Sequence, residues 1–213
     1  MEEKLRTLSV LVENESGVLS QISRLFSRKG FNIESLAVGT TDDPAISRMT
    51  IEVRANDNHT TLICAQLAKM VPVHSVKLLV PGHSIRRELV LYKVRARNSE
   101  DKNEIIQIAN IFRGAIIDVS KETLTLSVIG DEKKTNAVQE LLEGFGIVEL
   151  VRTGMIALER GKYTINEDTK EKGEFNYGKD VLLEGLRPEQ AGRQEDRHRR
   201  LRLPGPRPRP EPA

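Results

Sequence analysis

The chain has 213 residues, 38% of them hydrophobic and 30% charged, with a formal net charge of +2. This length accommodates one large domain or two small ones. The positive charge comes from the C-terminal end, because residues 187–213 hold eight arginines against four acids, a net charge of +4, and the rest of the chain carries −2. The body of the chain therefore lacks the basic excess by which proteins bind nucleic-acid phosphates.

Cysteine and histidine usage excludes two further kinds of site. Cys64 is the only cysteine in the sequence, so an intrachain disulfide and a cysteine-rich zinc site are both excluded. The four histidines are scattered without a second ligand at metal spacing, so we expect no metal. No run approaches the roughly 20 apolar residues that cross a bilayer, and the N-terminus enters a strand pattern at once. We expect a cytoplasmic protein that binds neither a membrane nor nucleic acid.

The first elements in chain order are a strand, a helix and a hairpin. Alternating apolar residues predict a strand over residues 4–13. Apolar residues at helical spacing predict a helix from Val18, which ends at Gly30 in a left-handed C-cap. Residues 32–38 and 46–53 then predict two strands joined by a tight turn.

A second helix and a fourth strand complete this unit. Asp57 or Asn58 is predicted to cap the helix, and Pro72 to stop it before a strand over residues 73–80. Cys64 lies among apolar residues of this helix and is predicted to be a buried small hydrophobe rather than a nucleophile. The first 80 residues thus predict the order β-α-β-β-α-β.

The same order is predicted once more in the second half. The segments are a strand over residues 88–96, a helix over 99–114, strands over 115–119 and 123–129, a helix after residue 131, and a strand over 147–158. Ser99 is predicted to open the third helix and Gly114 to close it, while Asp131 caps the fourth. Gly154 interrupts the last strand.

This repeated order predicts an α+β fold of two ferredoxin-like βαββαβ domains, covering residues 1–80 and 81–161. The strand after the first helix then lies at a sheet edge, and an uncovered edge invites pairing with a second copy. We therefore expect a homodimer. Residues 162–213 are polar and rich in Pro and Arg, and this composition predicts a disordered tail.

The most informative segment is the loop VENESGVL, in which Gly17 stands at the start of the first helix. The first N–H groups of a helix have no intrahelical acceptor, and glycine lets a ligand approach closely. Together with the helix dipole, these groups form a receptor for an anion such as a carboxylate. The alternative is that Asn14 or Ser16 simply caps the helix. The pattern alone leaves both interpretations open.

A longer stretch resembles a known family. Residues 8–51, LSVLVENESGVLSQISRLFSRKGFNIESLAVGTTDDPAISRMTI, closely resemble the N-terminal ACT domain of the small, regulatory subunit of acetohydroxyacid synthase, also called acetolactate synthase. The resemblance continues through residues 111–130, IFRGAIIDVSKETLTLSVIG. It covers about residues 1–161 and ends where the tail begins.

The resemblance implies a subunit without chemistry of its own. It would raise the activity of a separate catalytic large subunit and confer feedback inhibition by a branched-chain amino acid, typically valine, bound between two ACT domains. Thiamine diphosphate, magnesium and FAD would belong to the catalytic subunit, and this chain would hold no cofactor. The site residues implied by position are Asn14, Glu15, Ser16, Gly17 and Val18 of one chain, with Asn32 and Ile33 of the facing chain. Glu34 and Ser35 are expected to be structural.

Two other functions are considered beside this one. A stand-alone amino-acid-sensing ACT module would lack the second match at residues 111–119. A ferredoxin-like enzyme, such as a small phosphatase, would need an arginine beside Asn14 in the first loop, and the loop has none. The tail from Lys162 is expected to be dispensable for regulation, because its composition buries too little apolar surface to offset its ordering entropy.

Overall fold

The structure, a computed structural model, describes residues 3–165. Its first half contains β1 (Lys4–Glu13), α1 (Val18–Lys29), β2 (Ile33–Thr40), β3 (Ile46–Ala55), α2 (Asp57–Ala68) and β4 (Val73–Leu79). The four strands form an antiparallel sheet in the order β2-β3-β1-β4. The predicted element order is confirmed, and β2 lies at a sheet edge as expected.

The second half repeats this arrangement and adds one short strand. Its elements are β5 (Ser84–Arg95), α3 (Ser99–Ile111), β6 (Ala115–Val119), β7 (Thr123–Gly130), α4 (Glu132–Glu143), β8 (Ile147–Arg152) and β9 (Ile156–Glu159). The sheet order is β6-β7-β5-β8, and β9 pairs with the first residues of β5. The α+β fold with two ferredoxin-like domains is confirmed.

Strand alternation builds the core of the first domain. Leu8 and Val10 of β1 are fully buried and pack with Ile22 and Phe26 of α1. Cys64 of α2 belongs to the same core, and burial raises the pKa of its thiol to about 12. A thiol with so high a pKa is not a nucleophile at neutral pH, so the prediction of a buried small hydrophobe is confirmed.

Helix ends differ from the predictions at three places. Asn56, rather than Asp57 or Asn58, caps α2, because its extended backbone lets the side chain accept a hydrogen bond from the N–H of His59. Asn98 caps α3 in the same way, one residue before the predicted Ser99. Asp131 caps α4 as predicted, by accepting from the N–H of Lys134.

The end of α3 is the third difference. Arg113 (φ 52°), and not Gly114, takes the left-handed conformation after α3. Gly114 is small for another reason, since a Cβ there would lie 2.9 Å from the carbonyl oxygen of Ser127. At the end of α1, by contrast, Gly30 (φ 73°) is the left-handed C-cap that the sequence predicts.

The last strand is interrupted at Gly154 as predicted, but β9 has an unpredicted position. The start of β5, residues 84–87, pairs with β9 in a two-stranded ribbon. The ribbon crosses the outer face of the first sheet, where Arg86 forms an ion pair with Glu52, and Lys77 with Glu159 at 2.5 Å. The first sheet is therefore covered by helices on one face and by the ribbon on the other.

The outer face of the first sheet is polar yet buried. Its buried polar side chains are Thr7, Ser9, Thr50, Glu52, Ser75 and Lys77. Buried charges are tolerated only when they are paired. Glu52 is paired with Arg86, and Lys77 with Glu159, so both buried charges meet this requirement. Docking of the ribbon therefore depends on charge pairing as well as on apolar burial.

The predicted tail begins with residues that pack on this same face. Ile165 is 6% exposed, and its carbonyl oxygen accepts a hydrogen bond from Ser75 Oγ at 3.1 Å. The carbonyl oxygen of Thr164 accepts another from Lys77 Nζ at 3.0 Å. Thr164 and Ile165 are therefore bound to the first sheet, which corrects the start of the predicted disordered tail. The rest of that prediction, residues 166–213, lies outside the described residues.

The Lys77–Glu159 pair gives a test of ribbon docking. Lys77→Met leaves the largely buried Glu159 carboxylate without its partner, so we expect the free energy of unfolding to fall by about 3–5 kcal/mol. The double variant Lys77→Met/Glu159→Leu removes both charges and is expected to recover most of this loss. Urea denaturation of the wild type, the single variant and the double variant measures the free energy of unfolding. Equal stability of the single and double variants would contradict the pairing argument.

Two truncations test the contact of Ile165. A chain ending after Gly161 loses the buried Ile165 side chain and the Thr164 carbonyl oxygen that accepts from Lys77. A chain ending after Asp168 keeps both. Burial of an isoleucine contributes about 1.5–3 kcal/mol, so we expect a lower thermal midpoint for the shorter chain only. Equal midpoints in differential scanning calorimetry would show that the Ile165 contact contributes nothing to thermal stability.

Candidate functional site

The N-terminus of α1 has no side-chain cap. Its N-cap is Gly17, which is left-handed (φ 87°) and has no atom within 4 Å of the position a Cβ would occupy. Among the described residues, no side chain accepts from the first N–H groups of α1, and no acidic residue lies in its first turn. By contrast, α2, α3 and α4 each have a side-chain cap and an acidic residue in the first turn. The alternative that Asn14 or Ser16 caps the helix is therefore wrong.

Asn14 holds the loop against the β2–β3 hairpin. Its Nδ2 donates to the carbonyl oxygen of Pro44 at 2.9 Å, and its Oδ1 accepts from Ser47 Oγ at 3.0 Å. The Asn14 backbone N–H donates to the carbonyl oxygen of Ala45 at 2.8 Å. Asn14 thus positions the loop through both ends of its amide. Pro44 and Ser47, which the sequence pattern did not assign to the site, supply the contacts.

The other loop residues offer different groups. Glu15, Ser16 and Gly17 are exposed. The side chain of Val18 is 4% exposed and belongs to the core. Val18 can therefore present only its backbone N–H, which makes a long 3.5 Å contact with the carbonyl oxygen of Glu15.

Asn32 and Ile33 lie at the opposite end of the sheet from this loop. Ile33 pairs with Val53 of β3, whereas Thr40 pairs with Ser47, the residue that also pairs with Val12 just before the loop. These two rows are six residue steps apart along β3, which is about 20 Å. Within one chain, the fold does not bring the two groups of predicted site residues together.

The start of β2 is irregular and partly exposed. Asn32 is exposed, and its Nδ2 donates to Glu34 Oε1 at 3.3 Å. Ile33 packs against the first core, and a bulge separates it from Ser35. The Ser35 hydroxyl accepts a hydrogen bond from the N–H of Met155, and Glu34 lies 3.7 Å from Arg54. Glu34 and Ser35 thus have structural partners within the chain.

A groove of about 340 Å³ lies between the second half of β2 and the ribbon. Val38 of β2 and Ile156 and Leu158 of β9 are among the residues that line it, and each is about half exposed. Arg48 also lines the groove, and its Nε donates to Ser9 Oγ at 3.0 Å. Burial lowers the pKa of Arg48, although Glu159 opposes this shift.

Neither a metal centre nor a membrane segment is seen in the part of the chain that the structure describes. Over residues 3–165, no three His, Cys, Asp or Glu side chains are grouped as they would be to hold a metal ion. No helix in this span is long and apolar enough to cross a bilayer.

Comparisons with known proteins identify the family. Two family models match the chain: the small subunit of acetolactate synthase over residues 87–161, and the AHAS small subunit-like ACT domain over residues 8–75. A probable acetolactate synthase small subunit of Methanothermobacter thermautotrophicus is 46% identical over 165 residues, covering 78% of this chain and 98% of that protein. The chain belongs to the acetolactate synthase small-subunit family. Its members are the regulatory subunits of that enzyme, and the resemblance seen in the sequence is confirmed.

Two further relatives agree with this assignment. The acetolactate synthase small subunit of Aquifex aeolicus is 43% identical over 164 residues, covering 77% of this chain and 85% of that protein. A crystal structure of the acetolactate synthase small subunit from Thermotoga maritima superposes with a TM-score of 0.70 at 38% identity, covering 75% of this chain and 99% of that one. The match over residues 87–161 also favours this family over a stand-alone ACT module.

The open space at Gly17 gives a test of its backbone conformation. Gly17→Ala introduces a Cβ that meets no atom within 4 Å, so its only expected cost is that of a left-handed backbone. That cost is about 1–2 kcal/mol in the free energy of unfolding. A much larger loss in urea denaturation would mean that the loop packs more tightly than the structure has it.

Proposed function

We propose that this regulatory subunit activates a separate catalytic subunit and confers feedback inhibition by a branched-chain amino acid bound between two copies of the chain. One observation carries the proposal. The loop at Gly17 and the residues at Asn32 lie at opposite ends of β2, about 20 Å apart along the strands. A single site that uses both must therefore draw them from two chains.

An antiparallel pairing of two β2 edges satisfies this requirement. Twofold symmetry reverses the direction of the second β2, so Asn32 of one copy lies beside Thr40 of the other. Thr40 is level with the end of β1 and hence with the loop that follows it. The edge position of β2 in the described sheet supports a homodimer at this strand.

The groups available fit an amino-acid zwitterion. The uncapped N–H groups at the start of α1 suit the carboxylate, because the positive end of the helix dipole lies there. The Asn32 side chain donates its Nδ2 to Glu34, which leaves the amide oxygen to accept from the ammonium group. Valine, leucine and isoleucine all meet this description, because one methylene in an apolar pocket changes affinity by only about 1–3 kcal/mol.

Catalysis belongs to the partner in this proposal. The catalytic subunit would bind thiamine diphosphate, magnesium and FAD, and this chain would contribute binding and regulation alone. Rigorously purified chain is therefore expected to form no acetolactate from pyruvate. When it is added to a purified catalytic subunit, the rate is expected to rise and to become sensitive to valine. Turnover by the chain alone would contradict this division of labour.

Substitutions at Gly17 and Asn32 test the site. Gly17→Asp places a second carboxylate about 4 Å from that of the effector, which costs roughly 4 kcal/mol at an effective dielectric near 20 and weakens binding almost a thousandfold. Asn32→Ala is expected to cost less, about 1.5–3 kcal/mol, because it removes one hydrogen bond to a charged group. Calorimetric titration with valine measures both, and both variants are expected still to activate the catalytic subunit.

Gly82→Asp is the matched control for Gly17→Asp. Gly82 is also left-handed (φ 91°), and a Cβ there would meet no atom within 4 Å, so the substitution has the same backbone cost and adds the same charge. Its valine affinity is expected to equal that of the wild type. Wild-type affinity in Gly17→Asp, or an equal loss in Gly82→Asp, would place the effector elsewhere.

A further inference from the structure

The second domain contacts the first at the start of the edge strand β2. The Met155 N–H donates to Ser35 Oγ at 2.9 Å. Next to it, Gly154 (φ 82°) approaches the strand so closely that a Cβ there would lie 2.9 Å from the carbonyl oxygen of Leu36 and 3.1 Å from Ser35 Oγ. Only glycine takes this conformation at this distance without strain. The turn between β8 and β9 therefore lies directly on β2.

This contact falls where β2 is held least by its own sheet. The bulge between Ile33 and Ser35 breaks the regular pairing with β3, and within the described residues no strand lies on the other side of β2. Ser35 is opposite Glu52, which is held by Arg86 and by Thr7 Oγ1 at 3.0 Å. The position of the first residues of β2 thus depends on the second domain as well as on β3.

Asn32 lies three residues before this contact. We propose that Ser35 and Gly154 are positioning residues, which fix the start of β2 and couple effector binding at Asn32 to the docking of the second domain. The coupling rests on the proposed function, whereas the positioning does not. Coupling between two sites is reciprocal. An effector that orders Asn32 therefore also tightens the Gly154 turn, and loosening that turn lowers the affinity for the effector.

The far side of the same sheet provides a matched control. Ser75 of β4 also has a buried hydroxyl on the outer face, and it donates to the carbonyl oxygen of Ile165. β4 is at the opposite edge of the sheet from β2. Ser75→Ala therefore removes a comparable contact without touching the start of β2.

Hydrogen exchange of the full-length chain, without effector, tests the positioning. Ser35→Ala removes the acceptor of the Met155 N–H, so amides of residues 32–36 and Met155 are expected to exchange about threefold to tenfold faster, the range given by one neutral hydrogen bond. Ser35→Thr keeps the hydroxyl and is expected to restore wild-type rates. Ser75→Ala is expected to leave these amides unchanged. Unchanged rates in Ser35→Ala, or equal effects of Ser35→Ala and Ser75→Ala, would overturn the positioning.

A glycine pair separates close approach from backbone strain. Gly154→Ala introduces both a strained backbone and a clash with Leu36, whereas Gly82→Ala introduces the strain alone. Faster exchange over residues 32–36 is expected in Gly154→Ala only. The same result in both variants would show that the contact with β2 plays no part.

Titration with valine then tests the coupling. In the wild type, saturating valine is expected to slow exchange at residues 153–157 as well as at the loop and Asn32. In Ser35→Ala, the loop stays protected at saturation, the protection of residues 153–157 is lost and the affinity for valine falls. Protection of the loop and Asn32 without residues 153–157 in the wild type overturns the coupling and leaves the proposed function intact. No protection anywhere by valine overturns the proposed function and the coupling together, while the effector-free comparison still decides the positioning.

Discussion

The direction and length of β2 constrain the proposed effector site. The chain leaves β1, forms the loop at Gly17, runs back along α1 and enters β2 at the far end of the sheet. A βαβ connection always separates these two points by the length of a strand, so one copy cannot close a site around both. Because β2 is also an edge strand within residues 3–165, it is the strand through which the proposed homodimer would pair.

The uncapped start of α1 is consistent with the proposed binding of a carboxylate at the loop. A side-chain cap contributes about 1 kcal/mol, and the other three helices in residues 3–165 have one. At α1 the sequence instead has Gly17, and Asn14, which could have capped the helix, is held by Pro44 and Ser47. The local stability that is given up leaves the first N–H groups without a side-chain acceptor, as the proposed effector site requires.

Local patterns were sufficient to predict the element order, the edge position of β2 and the left-handed Gly30. They could not predict the ribbon. Residues 147–158 predict one strand interrupted at Gly154, and only the three-dimensional pairing shows that β9 leaves the second domain to cover the first. Glu52 and Lys77 occupy polar strand positions that resemble a solvated face, and their burial arises from partners that are distant in the sequence, Arg86 and Glu159. The loop at Gly17 and the residues at Asn32 could not be placed relative to each other before the strand register was known.

A mixed dimer tests the shared site most directly. Chains carrying Gly17→Asp and Asn32→Ala are co-expressed with different affinity tags, the hybrid dimer is purified through both tags, and valine binding is measured by calorimetry. If each site takes its loop from one chain and Asn32 from the other, the hybrid has one doubly altered site and one intact site. The account predicts one valine bound per hybrid dimer with wild-type affinity, although each parent dimer binds weakly at both sites. A hybrid in which no wild-type site is recovered would contradict it.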